Sequence, residues 1–372
     1  MLLNLKVNNF KCFNNDFSFH LGQTKNYEFN RDLIKNGVIN KSMVYGKNGV
    51  GKSNLGLAIF DIVTNLTETE VNNRHYSYYL NANSKADVAS FEFEFKFDEN
   101  RVLYKYKKSS FKVLISEELY INDVAVILFD RRLSDIAEIK LSGAENLKND
   151  IGGSTISSVV SYVRFNARLD ESNINKAFLD FVTFVDKMLY FRSLEDNRYI
   201  GIEHGPKSIC ADIVECGNIE KFEAFINKAG IQCKLVVIDG DEGTKNIAFD
   251  FDGKTIPFYS IASTGTKALA LFYFWLQRLK KDNYVSLVFV DEFDAFYHHE
   301  LAVAIVEELK EINSQVIITT HNTTIMSNDL LRPDCYFLMD EKSVSPLSTK
   351  TVKELRSAHN IEKLYKAGAF NG

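Results

Sequence analysis

The spacing of hydrophobic residues changes several times along the chain. Leu3, Leu5 and Val7 alternate with polar neighbours, which predicts a strand with one buried face, and Val38 to Tyr45 predicts a second strand running into a glycine-rich turn. Leu55, Ile59, Ile62, Val63 and Leu66 then fall on one face of a helix. Phe91-Glu92-Phe93-Glu94-Phe95-Lys96-Phe97 alternates strictly. With Val102 to Tyr106 and Phe111 to Ile115 it predicts antiparallel strands, dry on one side and wet on the other. In the middle of the chain Ile174, Phe178, Phe181, Val185 and Met188 mark an amphipathic helix, and Phe222, Phe225 and Ile226 mark another. A mostly helical insertion is therefore expected over 151–230. Lys234–Ile238 and Asn246–Phe251, separated by Asp-Gly and Glu-Gly turn signals, predict a hairpin. The last third alternates between helix and strand: helix Ala268–Leu276, strand Val285–Val290, helix Leu301–Ile312 and strand Val316–Thr319. Those two strands lack polar alternation, as strands do in a parallel sheet covered on both faces.

Composition narrows the class. The 372 residues suggest two to three domains at about 150 residues each. Only four prolines occur and no Gly/Ser linker divides the chain, so the expected units are inserted into one another. They are an N-terminal lobe over 1–150, the insertion over 151–230 and a C-terminal lobe over 231–372. A hydrophobic share of 45% and a charged share of 25% describe an ordinary globular protein, and the net charge of −5 excludes a chain that coats DNA by bulk charge. Five cysteines without a C-x-x-C pair read as reduced thiols. The opening MLLNLKVNNFKCF has no long apolar core or cleavage signal, and no apolar run approaches the roughly 20 residues of a membrane span. The expected setting is the cytoplasm, with no membrane contact.

The chemistry lies in four passages. Gly46-Lys47-Asn48-Gly49-Val50-Gly51-Lys52-Ser53 fits G-x-x-x-x-G-K-[ST] between a predicted strand and a predicted helix, and Asn54 follows it. Such a loop aims backbone N–H groups and the positive end of a helix at phosphates. Lys52 is expected to reach the β- and γ-phosphates of ATP and the Ser53 hydroxyl to ligate Mg²⁺. Val285-Ser286-Leu287-Val288-Phe289-Val290-Asp291-Glu292 is an apolar strand ending in two acids, a Walker B element. Asp291 is expected in the Mg²⁺ shell, and Glu292 as general base for the attacking water. His321 ends Val316-Ile317-Ile318-Thr319-Thr320, 29 residues after Glu292, which places it one strand over and within reach of a γ-phosphate. Ile261-Ala262-Ser263-Thr264-Gly265-Thr266-Lys267 precedes the apolar helix, and Ser263 is expected to cap that helix with its dipole pointing outward at an anion.

This last passage resembles the signature motif of ABC-type ATPases, with Ser263 and Gly265 in the Ser and second Gly positions. In ABC heads the anion is the γ-phosphate held by the P-loop of a second subunit, so the resemblance implies a homodimer joined through ATP. The order of motifs is similar to that of the SMC/RecF/OLD superclass, and more closely to the AAA15 or AbiL-like ATP-binding proteins. Val7-Asn8-Asn9-Phe10-Lys11-Cys12-Phe13 resembles the opening of that superclass, and GKNGVGKSN over Gly46–Asn54 its P-loop. Tyr104-Lys105-Tyr106 with Ser116-Glu117-Glu118-Leu119 resembles a family hairpin, and Leu364 to Phe370 its closing motif. The fold implied is α/β, an ABC ATPase head of the P-loop NTPase class. It has a mixed or parallel sheet, an antiparallel β-subdomain and a helical insertion. The function implied is the sensor ATPase of an antiphage or abortive-infection system, similar to the PARIS-type subunit. Such an ATPase would control a separate effector nuclease or toxin and respond to DNA or a phage protein. Lys11 would meet the nucleotide as its counterpart does in related heads. Two departures stand out: Tyr297-His298-His299 replaces the usual Leu-His-Pro, and no glutamine lies between Gln23 and Gln232 to serve as a Q-loop residue. Two rivals remain, a DNA-repair ATPase of the RecF or SMC kind and a weakly hydrolysing scaffold that sequesters a toxic partner.

Three further patterns are weaker. Asp250-Phe251-Asp252-Gly253 reads as a hairpin turn more readily than as a metal pair, and Asp239-Gly240-Asp241-Glu242-Gly243 lacks calcium-loop spacing. Lys105, Lys107, Lys108 and Lys112, interleaved with Tyr104, Tyr106 and Phe111, read as the wet face of a sheet before they read as a nucleic-acid surface.

Overall fold

The computed structural model describes residues 1–67, 73–151, 158–192, 198–201, 208–240, 243–294 and 299–370. In chain order, the first part comprises β1 (Leu2–Asn8), β2 (Phe17–His20), the short pair β3 (Ile34–Lys35) and β4 (Val38–Ile39), and β5 (Lys41–Tyr45). Helices α1 (Lys52–Phe60) and α2 (Val63–Leu66) follow, and then the strands β6 (Ala89–Phe97), β7 (Asn100–Ser110), β8 (Val113–Ile121), β9 (Val124–Asp130) and β10 (Glu138–Ile139). The middle holds α3 (Val159–Asn166), α4 (Asn173–Asp186), β11 (Met188–Arg192), β12 (Arg198–Gly201), α5 (Ile209–Glu215) and α6 (Ile219–Lys228). The last part holds β13 (Leu235–Asp239), β14 (Lys245–Phe251), β15 (Lys254–Pro257), α7 (Phe258–Ile261), α8 (Thr264–Leu279), β16 (Leu287–Asp291) and α9 (His299–Lys310). It ends with β17 (Gln315–Thr320), β18 (Tyr336–Met339), β19 (Val344–Pro346) and α10 (Ile361–Lys366).

Two seven-stranded sheets carry the architecture. The first is antiparallel, in the order β10-β9-β8-β7-β6-β1-β2. Its inner face is the strictly alternating row read from the sequence: Phe91, Phe93 and Phe95 are buried, and Phe95 and Tyr104 pack on Phe181 of α4. The second runs β12-β11-β16-β17-β5-β18-β19, with β11, β16, β17, β5 and β18 mutually parallel. Its central strands are buried along their whole length, as unalternating apolar runs require. Gln315 at the start of β17 ties the sheets together. Its side-chain amide accepts from Leu2 N at 2.8 Å and donates to the carbonyls of Leu2 (2.8 Å) and Ile39 (3.0 Å). The expected mixed α/β head, with a parallel sheet and an antiparallel β-subdomain, is the fold observed.

Three expectations need correction. The segment 151–230 contributes helices, but it also contributes β11, which pairs in parallel with β16 inside the main sheet. Met188 belongs to that strand and not to the amphipathic helix, which ends at Asp186. Apolar spacing runs on across the junction, so periodicity alone does not mark the boundary. Lys108 is not on the wet face. It lies on β7 in phase with Val102, Tyr104 and Tyr106, is 1% exposed, and its ammonium sits 3.2 Å from the buried Asp61 carboxylate. Lys105 does face outward, and pairs with Glu92 at 3.7 Å. The predicted hairpin is β13–β14, extended by β15 into a small sheet whose core of Phe222, Ile247, Phe249 and Phe258 also meets Tyr273 of α8. No helix among the described residues is long and apolar enough to cross a membrane.

Candidate functional site

Three strand ends build the site. In the parallel sheet β17 lies between β16 and β5, with Ile318 opposite Val290 and Thr320 opposite Tyr45. Asp291 closes β16, Gly46 follows β5 and His321 follows β17, so all three emerge side by side at the carboxyl ends of adjacent strands. Neighbouring strands are about 4.8 Å apart, and this end of an open α/β sheet is where ligands bind.

The P-loop has the geometry its glycines predict. Gly49 and Gly51 adopt φ of 84° and 106°, in the left-handed region that side chains avoid. At Gly46 the constraint is spatial, since a Cβ there would lie 2.8 Å from a Val50 methyl and 3.0 Å from the Met339 carbonyl oxygen. Asn48 is exposed, Val50 half-buried, and Lys52 begins α1 with Ser53 and Asn54 in its first turn. The buried Lys52 ammonium donates to the carbonyls of Gly46 (2.8 Å) and Lys47 (3.1 Å). Burial pushes its pKa down, while the nearby carboxylates of Glu292, Asp291 and Asp294 pull it back up. Lys52 and the two Walker B acids thus share one electrostatic neighbourhood.

Around Asp291 the structure adds groups that motif reading missed. Thr319 Oγ1 donates to Asp291 Oδ1 at 2.7 Å, and Tyr190 on β11 places its hydroxyl 3.4 Å from Asp291 Oδ2 and 3.2 Å from the Ser53 carbonyl. Glu292 has φ of 46°, and its N–H donates to Thr319 Oγ1 at 2.8 Å. Thr320 Oγ1 donates to Asp294 at 2.7 Å and accepts from Asn322 N at 2.9 Å. His321 is exposed at the turn that follows. A hydroxyl residue two positions before His321 is visible in the sequence, but its partner depends on which strand lies beside β17.

Lys11 sits beside the loop. Its segment packs on the start of α1, where Cys12 Sγ would lie 2.6 Å from a Cβ on Gly51, and the thiol is hydrogen-bonded with Asn54. The Lys11 ammonium donates to the Ser77 carbonyl at 3.1 Å. Ser263 caps α8 as expected, accepting from Thr266 N at 3.1 Å, with Gly265 in the first turn. This helix packs on the β11 side of the sheet, where Phe191 meets Phe272 and Trp275. Tyr190, the residue before Phe191 on β11, packs instead on Phe60 of α1, so α8 and the P-loop helix cover opposite faces of the sheet. His298 lies outside the described residues. His299 opens α9 and shares a hydrogen bond with Thr324 Oγ1 at 3.1 Å. Among the described residues no group of three or more His, Cys, Asp or Glu side chains forms a metal cage. The Ser53 hydroxyl and the Asp291 carboxylate are oxygen donors suited to a magnesium ion that keeps most of its own water and binds substrate phosphate.

Comparison with known proteins places the chain in a family. No curated protein matches the chain. Among solved structures, the SMC head domain from Thermotoga maritima is 15% identical over 93% of this chain and 98% of its own, with a TM-score of 0.41. The Smc head domain with an extended coiled coil, bound to the C-terminal domain of ScpA from Pyrococcus furiosus, is 11% identical over 98% of both chains, with a TM-score of 0.44. The recombination mediator protein RecF of the RecFOR pathway is 12% identical over 93% of this chain and 98% of its own, with a TM-score of 0.40. A family model described as "AAA domain, putative AbiEii toxin, Type IV TA system" matches residues 42–327, from the P-loop strand past His321. The chain therefore belongs to the AAA_21 family of P-loop ATPases.

Proposed function

We propose that the chain is an ABC-type ATPase head that binds Mg-ATP between two copies of itself and hydrolyses it. In this reading it is the cytoplasmic ATPase component of an antiphage or abortive-infection system. The observation that carries the catalytic part is the convergence of the P-loop, Asp291, Glu292 and His321 on three adjacent strand ends. Backbone N–H groups of Gly46 to Ser53 hold the phosphates, Asn54 supports the loop and Lys52 offsets charge on the β- and γ-phosphates. Ser53 and Asp291 would hold Mg²⁺, which supplies positive charge against the charge developing on the transferred phosphoryl group. Glu292 takes the proton of the attacking water, and His321 donates a hydrogen bond toward the γ-phosphate. Lys11 meets the nucleotide from the flank of the loop. Ser263 and Gly265 serve the P-loop of the second copy, a role supported by the packing of α8 on the face of the sheet opposite to its own P-loop helix.

The defence role rests on the family description, which names a toxin and a type IV toxin–antitoxin system. The effector nuclease or toxin is a separate chain and the trigger is DNA or a phage protein. A role as a DNA-repair ATPase has less support, because Lys6 and Lys105 of the antiparallel sheet pair with Glu92 (2.7 Å and 3.7 Å) and Lys108 is buried, which takes three cations out of any basic stripe there. Phosphate release and protection of cells from phage test the reading together. Lys52→Ala and Glu292→Gln are each expected to abolish turnover and protection, with Glu292→Gln still binding ATP. Full protection by both variants would refute the defence role, and full turnover the catalytic one.

A further inference from the structure

We propose that Thr319 is a positioning residue of this reaction, whose single hydroxyl sets both acids of the Asp291–Glu292 pair. The inference rests on the ATPase reading and concerns how that site is held together. Thr319 is wholly buried on β17, the strand between the P-loop strand and the Walker B strand. A carboxylate only accepts and a backbone N–H only donates, so the bonds to Asp291 Oδ1 (2.7 Å) and from Glu292 N (2.8 Å) fix the direction of the hydroxyl. Its one proton and one of its lone pairs are both committed.

The second bond matters because of the backbone it holds. Glu292 stands at φ of 46°, a conformation that costs a residue with a side chain about 1–2 kcal/mol. Such a residue persists only where its surroundings over-determine it. Here consecutive N–H groups at the turn go to the same residue: Glu292 N to Thr319 Oγ1, and Phe293 N to the Thr319 carbonyl at 3.3 Å. Had β16 continued as a regular strand, Asp291 and Glu292 would point to opposite faces of the sheet. The left-handed residue breaks that alternation, and Thr319 holds the break. Its neighbour serves the next part of the turn, because Thr320 Oγ1 binds Asp294 and receives Asn322 N beside His321. The Thr-Thr pair thus couples the metal-and-water acids on one strand to the histidine turn on the next.

The test compares Thr319→Val, which keeps the shape and removes the hydroxyl, with Thr319→Ser, which keeps the hydroxyl, in the full chain. Phosphate release is followed against ATP and against Mg²⁺, and ATP binding is measured separately under conditions without turnover. Thr319→Val is expected to lower kcat more than about tenfold, a fraction of what a general base contributes. It should raise the half-saturating Mg²⁺ concentration while leaving ATP affinity within about threefold. Thr319→Ser is expected to restore kcat to within about threefold of wild type. If Thr319→Val does not fold, Thr319→Cys, close in size and a poor hydrogen-bond partner, is read by the same outcomes. Wild-type turnover in Thr319→Val would overturn the proposal. So would a Thr319→Ser chain as slow as Thr319→Val, or a loss of ATP binding equal to the loss of turnover. If wild type turns over and Glu292→Gln does not, a normal Thr319→Val refutes this inference alone. A wild-type chain without turnover refutes the ATPase reading and this inference with it.

Discussion

Gly51 is the tightest position in the phosphate loop, for two separable reasons. Its φ of 106° disfavours any side chain, and a Cβ would stand 2.6 Å from the Cys12 sulfur. Gly51→Ala is expected to lose about 1–2 kcal/mol from backbone strain alone, and more from the clash. Adding Cys12→Ala should recover the clash and leave the strain, which urea unfolding of the single and double variants would separate. The glycine, Lys52 and Asp291 were all legible in the sequence because their chemistry follows from local spacing on a strand–loop–helix. Tyr190 and Thr319 were not, because they reach Asp291 only after two distant segments have been set beside β16. A tyrosine in an apolar strand carries no mark of such a role.

Among the elements, the antiparallel sheet is bound to the P-loop helix by a buried charge. Asp61, just past the end of α1, accepts at one oxygen from Tyr79 (3.0 Å), Tyr106 (2.9 Å) and Lys108 (3.2 Å), and Lys108 also donates to Thr64 Oγ1 at 2.9 Å. Burial lowers the Lys108 pKa, and Asp61 opposes that shift. Removing one member strands the other in the core. Lys108→Met is expected to cost about 3–5 kcal/mol, whereas Lys108→Met with Asp61→Asn should cost less than the single change. Chemical denaturation of the four chains of that cycle gives the coupling. The burial of Lys108 is legible in the sequence. Lys108 is the fourth term of the even-numbered series Val102, Tyr104, Tyr106 on one strand, and period two assigns it to the dry face. Proximity to Lys105 and Lys107 in the chain says nothing about the face it occupies. Met188 shows the opposite situation: it continues a helical spacing faithfully, and only pairing with Leu287 on β16 makes it a strand residue.

At the scale of the whole molecule, the placement of α8 and the P-loop helix on opposite faces of the sheet motivates a complementation experiment. If two heads pair as proposed, Lys52→Ala should disable a site through its loop, and Ser263→Arg the site of the opposite copy. Either variant alone should be inactive. An equal mixture forms half mixed dimers, each with one intact site of two, so about a quarter of wild-type phosphate release is expected. No recovery on mixing would mean that each site is built within one chain. The strand order has a further consequence, for how the protein comes into being. The P-loop strand β5 is flanked by β17 on one side and β18 on the other, pairing Lys41 with Val316 and Met43 with Tyr336. Both edges of that strand wait for segments made almost three hundred residues later. Contacts of such long range slow folding and leave partly made chains exposed. A ribosome-bound chain stopped before β17 can present the glycine-rich sequence but not the sheet that supports it. Nucleotide binding should therefore arrive late and all at once, and a prematurely ended product would carry the motif without the function.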